Sequence, residues 1–280
     1  MIEVEKTQLS QVALLFNEFE DSMVKACLQG YMGSAFVQTM NHPKAVMIVS
    51  GEYCFWGGDP NSQEAEYLVR NIFSVAKTPN LIAIYPETEL DWEKLLLTMT
   101  QYNPVVVPRY GIVQKDYTFD NSVLQSYIDS IPEGFELVPF NENIYRQAMK
   151  ETWSQEFCET FSSAGDYLER GFGFAVQKNG KLASGASTMT VYNGGIEIQV
   201  ATHKKHKRNG LALACAAAII QECVRRKIRP CWDAANLISK KMALKLGYEY
   251  RGEYNTTHIS KGNHGELVHL LCRALLLSNL

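Results

Sequence analysis

The chain has no CxxC pair, no apolar run of the ~18 residues a membrane helix needs, and no basic stretch followed by an apolar core at its start. It also lacks a GxxxxGK[ST] loop and a GxGxxG fingerprint, which removes the two commonest phosphate-binding signatures. Its seven cysteines, at 27, 54, 158, 215, 223, 231 and 272, are scattered and odd in number, so they read as reduced, buried thiols of a cytoplasmic protein rather than a disulfide or metal framework. Cys215 and Cys223, eight apart, belong to one helix face and to a core. No His, Cys and carboxylate set has metal-ligand spacing, so no metal is expected. A net charge of −3 argues against a nucleic-acid partner, and a membrane partner is equally unexpected.

What remains is a globular chain of 280 residues, 46% hydrophobic and 20% charged, enough for one large or two ordinary domains. Periodicity predicts helices over 8–29, 64–76, 92–100, 121–130 (capped by Asn121), 142–161 (capped by Asn141), 211–226 and 237–246. Strands are expected over 45–49, 53–56, 81–85, 105–107, 110–115 (split from the former by Pro108), 135–140, 173–177, 182–192, 196–202 and 230–233, with a strand-rich C-terminal stretch. Asn179-Gly180 marks a hairpin. The turn Ile131-Pro132-Glu133-Gly134 suggests a boundary, giving an N-terminal α/β domain over 1–132 and a second domain over 133–280. The fold class is α/β (α+β), a mixed central sheet flanked by helices, with the additional N-terminal domain.

One loop concentrates chemistry. The strand Ile196–Thr202 runs into His203-Lys204-Lys205-His206-Lys207-Arg208-Asn209-Gly210, which opens the helix at Leu211-Ala212. A helix N-terminus presents free N–H groups and partial positive charge, Gly210 and Ala212 leave room for close approach, and the basic side chains add attraction, so the loop suits a pyrophosphate. A solvated basic loop is the plainer alternative at this stage.

The downstream residues carry a resemblance. Lys207-Arg208-Asn209-Gly210-Leu211-Ala212 is similar to the [QR]xxGx[GA] loop of the GNAT superfamily of acyl-CoA N-acyltransferases, with Lys in place of Gln or Arg. The short strand at Cys231–Asp233, then Asn236, then a helix closing on Gly247-Tyr248, resembles its second signature. The likeness spans about 134–256, and the whole chain looks most like the bacterial subgroup with an extra N-terminal domain that includes zwittermicin-type resistance acetyltransferases. The N-terminal domain is then open to reading as a worn second copy of the fold.

The resemblance implies acetyl-CoA as co-substrate and direct transfer of its acetyl group to a primary amine of a small molecule in a ternary complex. It implies that Val200, Ala201 and Thr202 hold the pantetheine arm and acyl carbonyl, that Lys207, Arg208, Asn209, Gly210, Leu211 and Ala212 hold the pyrophosphate, and that Asn236 and Ser239 face the cofactor. Asn236 reads equally well as a helix N-cap. Glu197, on the face opposite Ile196, Ile198 and Val200, is the candidate general base. The family's usual acidic Tyr position is Ala243 here, which leaves Tyr248 or Tyr254 as candidate acids. Trp153, Trp232 and Asp233 are candidate acceptor-pocket residues, and Glu151, Glu156, Glu159 and Asp166 could attract a cationic amine. A homodimer stays open. The rival readings are a non-catalytic acyl-CoA-binding regulator, favoured by Ala243, and a nucleotide-binding enzyme of another fold.

Overall fold

The computed structural model describes residues 1–17, 19–86, 90–113 and 118–262. In chain order the strands are β1 (Ile2–Glu3), β2 (Ser34–Val37), β3 (Ala45–Ser50), β4 (Tyr53–Gly58), β5 (Asn80–Ile84), β6 (Val105–Val113), β7 (Glu136–Pro139), β8 (Gly173–Lys178), β9 (Lys181–Tyr192), β10 (Gly195–Thr202), β11 (Arg229–Cys231), β12 (Asp233–Ala234) and β13 (Glu249–Ser260). The helices are α1 (Ser22–Leu28), α2 (Gln63–Asn71), α3 (Leu90–Leu97), α4 (Asn121–Asp129), α5 (Glu142–Ala148), α6 (Ala164–Arg170), α7 (Leu211–Arg226) and α8 (Leu237–Leu246). The mixed α/β architecture is the one the sequence predicts. No helix among the described residues is long and apolar enough to cross a membrane.

The chain forms two compact units. Among the described residues, one comprises Met1–Gly111, Ala234–Ile238 and residues 252–262; the other comprises Ile112–Asp233 and Ser239–Arg251. The turn Ile131-Pro132-Glu133-Gly134 lies inside the second unit, and the chain re-enters the first unit twice.

The first unit's sheet runs β1-β2-β3-β4-β5-β13-β6-β12, so a strand from the far end of the sequence sits between β5 and β6. Thr257, His258 and Ile259 of β13 pair antiparallel with Ala83, Ile82 and Leu81 of β5. Beneath one face lies a core of Met47, Trp56, Leu68, Ile72, Leu81, Trp92 and Leu96, with the two indole rings 5.3 Å apart. The second unit's sheet runs β11-β10-β9-β8-β7. Helix α7 packs on it through Leu211, Ala214–Ile220 and Cys223, all buried, and its run of alanines lets the helix lie close to the strands. Cys215 and Cys223 belong to this buried face.

The two units repeat one topology. In β1–β5 and again in β7–β11, successive strands are neighbours, the first three pairs are antiparallel, and the last pair is parallel. A helix joins each parallel pair, α2 in the first unit and α7 in the second.

Several local expectations need correction. The helix expected over 8–29 breaks into 3₁₀ turns at Lys6–Gln11 and Ala13–Phe16, and α1 starts afresh because the Asp21 carboxylate accepts from the N–H groups of Met23 and Val24. The helix expected over 142–161 ends at Ala148, whose carbonyl takes the Ser154 hydroxyl at 2.9 Å. A separate helix, α6, follows, capped by Ser163. Pro108 does not divide β6, which runs unbroken through it. Asp120 rather than Asn121 caps α4. Asn141 caps α5 as expected, at 3.0 Å from the Ile144 N–H. Lys115, Cys272 and most of the expected C-terminal strand region beyond β13 lie outside the described residues.

Candidate acyl-CoA site

The site begins where two parallel strands part. Strand β10 pairs with β11 only from Gly195↔Arg229 to Glu197↔Cys231, but pairs with β9 as far as Thr202↔Ser184. From Ile198 to Thr202 its outer edge has no strand partner among the described residues, so Val200 and Thr202 offer backbone groups to an extended ligand, while Ala201 between them turns its carbonyl towards β9. The end of this strand is locked from behind. The Ser184 hydroxyl donates to the Ala201 carbonyl at 3.0 Å and lies 2.7 Å from the Thr202 hydroxyl. Sequence reasoning did not single out Ser184.

The chain then makes a 3₁₀ turn, Lys204–His206, closed by the Lys205 N–H donating to Nδ1 of His203 at 3.3 Å. The ring of His203 packs edge-on to Trp153, with centroids 5.5 Å apart, and His206 packs likewise on Phe135. Burial, together with His203, Lys178 and Lys205, holds the His206 pKa below its usual value. Lys204, Lys205, Lys207 and Arg208 are all exposed.

Arg208 and Gly210 both take left-handed backbone, with φ of 65° and 75°. That double reversal turns the chain into α7. Gly210 is the N-cap and no side chain caps the helix, so its first N–H groups remain available. A Cβ at Gly210 would meet nothing within 4 Å, which places open space directly over that N-terminus. Uncapped N–H donors, open space and four exposed cations fit a pyrophosphate, and the open edge of β10 fits the amide-bearing arm of coenzyme A.

Glu197 is buried, 7% exposed, and its Oε1 accepts from the Asp233 N–H at 2.9 Å. The carboxylate thus reaches across the point where β10 and β11 part. Its cross-strand neighbour is Thr190. Tyr248, by contrast, is buried against Trp232 and Phe119, and its hydroxyl donates to the Pro230 carbonyl at 2.8 Å. Burial raises its pKa well above the usual value, and the structure gives this ring a packing role. Ala243 is fully buried.

Asn236 belongs with the first unit and acts as an N-cap of α8, its Oδ1 accepting from the Ile238 N–H at 3.0 Å. The Ser239 hydroxyl accepts from the Trp232 indole at 3.0 Å. Trp153 donates to Glu151 at 2.8 Å and stacks edge-on to Phe157. Gln199, to which the sequence assigns a strand face but no role, donates its side-chain amide to Glu156. Strand alternation alone places Gln199 on the face of Glu197, and that was the signal available.

A family model for GNAT acetyltransferases matches residues 13–257. The chain belongs to the GNAT acetyltransferase family. The match covers both units, so the family's imprint is not confined to the half that carries the loop. A solved GCN5-related N-acetyltransferase-like protein from Streptococcus suis 89/1591 is 30% identical, with a TM-score of 0.82, over 90% of this chain and 98% of that one. A Bacillus subtilis (strain 168) protein described as the uncharacterized N-acetyltransferase YdfB is 22% identical over 260 residues, covering 90% of this chain and 96% of its own. A tandem GNAT protein from the clavulanic acid biosynthesis pathway shares the fold at 13% identity and a TM-score of 0.56, over 94% of this chain and 98% of its own.

Proposed function

We propose that the protein is an N-acetyltransferase that moves an acetyl group from acetyl-CoA to a primary amine of a small molecule by direct attack in a ternary complex. The observation that carries this reading is the uncapped α7 N-terminus with Gly210 open above it, set at the end of a strand whose edge is free from Ile198 on. Family membership supports the donor.

The loop 207–212 would hold the pyrophosphate, and Val200 and Thr202 the pantetheine and acyl carbonyl. Ser239 would add a contact from its helix beyond the bond already described. Bound acetyl-CoA supplies an activated thioester, whose carbon–sulfur bond breaks as the amine nitrogen–carbon bond forms. Glu197, buried where the strands part, would take the proton from the amine. The Asp233 N–H on its Oε1 orients the carboxylate. The thiolate is a fair leaving group and needs no dedicated acid, which accommodates Ala243 and the engaged hydroxyl of Tyr248. The five buried thiols among the described cysteines fit a reducing, cytoplasmic setting.

The second reading, a non-catalytic acyl-CoA-binding regulator, is favoured by Ala243. Thiol release from acetyl-CoA, measured with a panel of primary amines, separates the two. The transfer reading expects amine-dependent release; tight acetyl-CoA binding with no release on any amine would establish the regulator.

A further inference from the structure

Strand alternation decides which backbone groups of β10 reach its open edge. The His203 N–H donates to the Ala183 carbonyl at 2.9 Å, and Ala201 lies opposite Gly185. In an antiparallel ladder every second residue turns both backbone groups to its partner, so Ala201 and His203 face β9. Val200 and Thr202 then face outward.

One side chain acts on this arrangement from behind. Ser184 of β9 is wholly buried, and its hydroxyl donates to the Ala201 carbonyl at 3.0 Å. A serine hydroxyl has a single proton, so the Thr202 hydroxyl, 2.7 Å away, is the donor to Ser184. The Cys215 thiol of α7 lies against the same hydroxyl. The Ala201 carbonyl and the Thr202 N–H belong to one trans peptide, in which the two groups point in opposite directions. A bond that holds the carbonyl towards β9 therefore aims the Thr202 N–H at the open edge. Strands β9 and β10 are in register as far as Thr202 without the help of any side chain. What the Ser184 hydroxyl adds to this pairing is the direction of the last peptide plane and the rotamer of Thr202.

Resting on the acyl-CoA reading of this site, we propose that Ser184 is a positioning residue for the donor, aiming the Thr202 N–H at the amide-bearing arm of the acyl-CoA. The α7 N-terminus and its loop hold the nucleotide end, and the strand edge that Ser184 orients holds the arm. Removing the hydroxyl leaves the Ala201 carbonyl short of a donor in a place that is fully buried, and frees the peptide to tilt. The loss falls on the arm and spares the nucleotide end.

The test is calorimetric titration with two ligands, acetyl-CoA and adenosine 3′-phosphate 5′-diphosphate, which is the nucleotide end without the arm. The wild type is expected to bind acetyl-CoA more tightly than the nucleotide. Ser184→Ala should weaken acetyl-CoA about tenfold and leave the nucleotide within about twofold of wild type. Ser184→Cys keeps the volume but is a weak donor, so it should follow Ser184→Ala rather than the wild type. Thr202→Val keeps the shape of the side chain and removes the proton given to Ser184. It should weaken acetyl-CoA by a smaller factor, again sparing the nucleotide, and serves if Ser184→Ala does not fold. Unchanged acetyl-CoA affinity in Ser184→Ala, or in Thr202→Val where that variant is the one measured, overturns the proposal. Equal losses for both ligands also overturn it, since a purely structural role would weaken the whole site. Wild type that binds neither ligand overturns the acyl-CoA reading itself, and this proposal with it.

Discussion

At the scale of single residues, Gly210 and Glu197 separate donor binding from chemistry. Gly210 has positive φ and open space over it, so a substitution acts through backbone strain and charge rather than collision. Gly210→Asp adds negative charge at the uncapped N-terminus and is expected to abolish acetyl-CoA binding in a calorimetric titration. Gly210→Ala adds only strain, about 1 kcal/mol, and should weaken binding far less. Equal affinities for wild type and Gly210→Asp would sink the assignment of the loop. Glu197→Gln keeps the shape and the bond from the Asp233 N–H but cannot accept a proton. It should lower kcat by about 10²–10⁴ with acetyl-CoA affinity intact. A kcat within a factor of about two of wild type would move the base elsewhere. Glu197 was legible from its strand position; Gln199 and Glu156 were not paired in advance, because a contact across 43 residues has no local signature.

At the scale of elements, two helices that occupy equivalent places in the repeat have opposite N-termini. Helix α7 opens without a side-chain cap after a basic loop. Helix α2 is capped by Ser62, whose Oγ accepts from the Ala65 N–H at 3.2 Å, and has Glu64 and Glu66 in its first turn. Glu64 also accepts from the Lys44 N–H at 2.9 Å. One N–H of the α2 N-terminus is thus met by its own cap, and an incoming phosphate would face carboxylates. Strand β13 carries a different consequence. Burial, and then the charge of Arg109, lowers the His258 pKa from 6.5 to about 4. Its folded pKa lies below the unfolded one, so between these values the unfolded chain binds a proton that the folded chain refuses. Stability should be full above pH 6.5 and fall as the pH drops towards 4. The thermal midpoint of the wild type should therefore fall more steeply across that window than that of His258→Gln; parallel curves would show that His258 does not contribute.

At the scale of the whole molecule, the repeated topology and the unlike helix N-termini together predict one acetyl-CoA per chain, read as the stoichiometry of a calorimetric titration. A stoichiometry of two would show that the first repeat binds as well. The repeat itself was only a suspicion from alternating elements, because the two copies keep the strand order while differing in the residues that fill it. Asn179-Gly180, by contrast, was legible at once: both residues adopt left-handed backbone and join β8 to β9.

The sequence by itself determined what local chemistry decides. The bounds of α7 and α8, the hairpin at 179–180, the cap at Asn141 and the cation-rich turn into Gly210 all follow from residues within a few positions of one another. The tertiary structure alone decided what depends on distant partners. It ended the fifth helix at Ala148 through Ser154, placed β13 beside β5 more than 170 residues away, parted β10 from β11 at Glu197, and gave the Tyr248 hydroxyl to Pro230. Those outcomes rest on strand pairing and burial, whose energies are set by which surfaces meet. No window of sequence contains both surfaces.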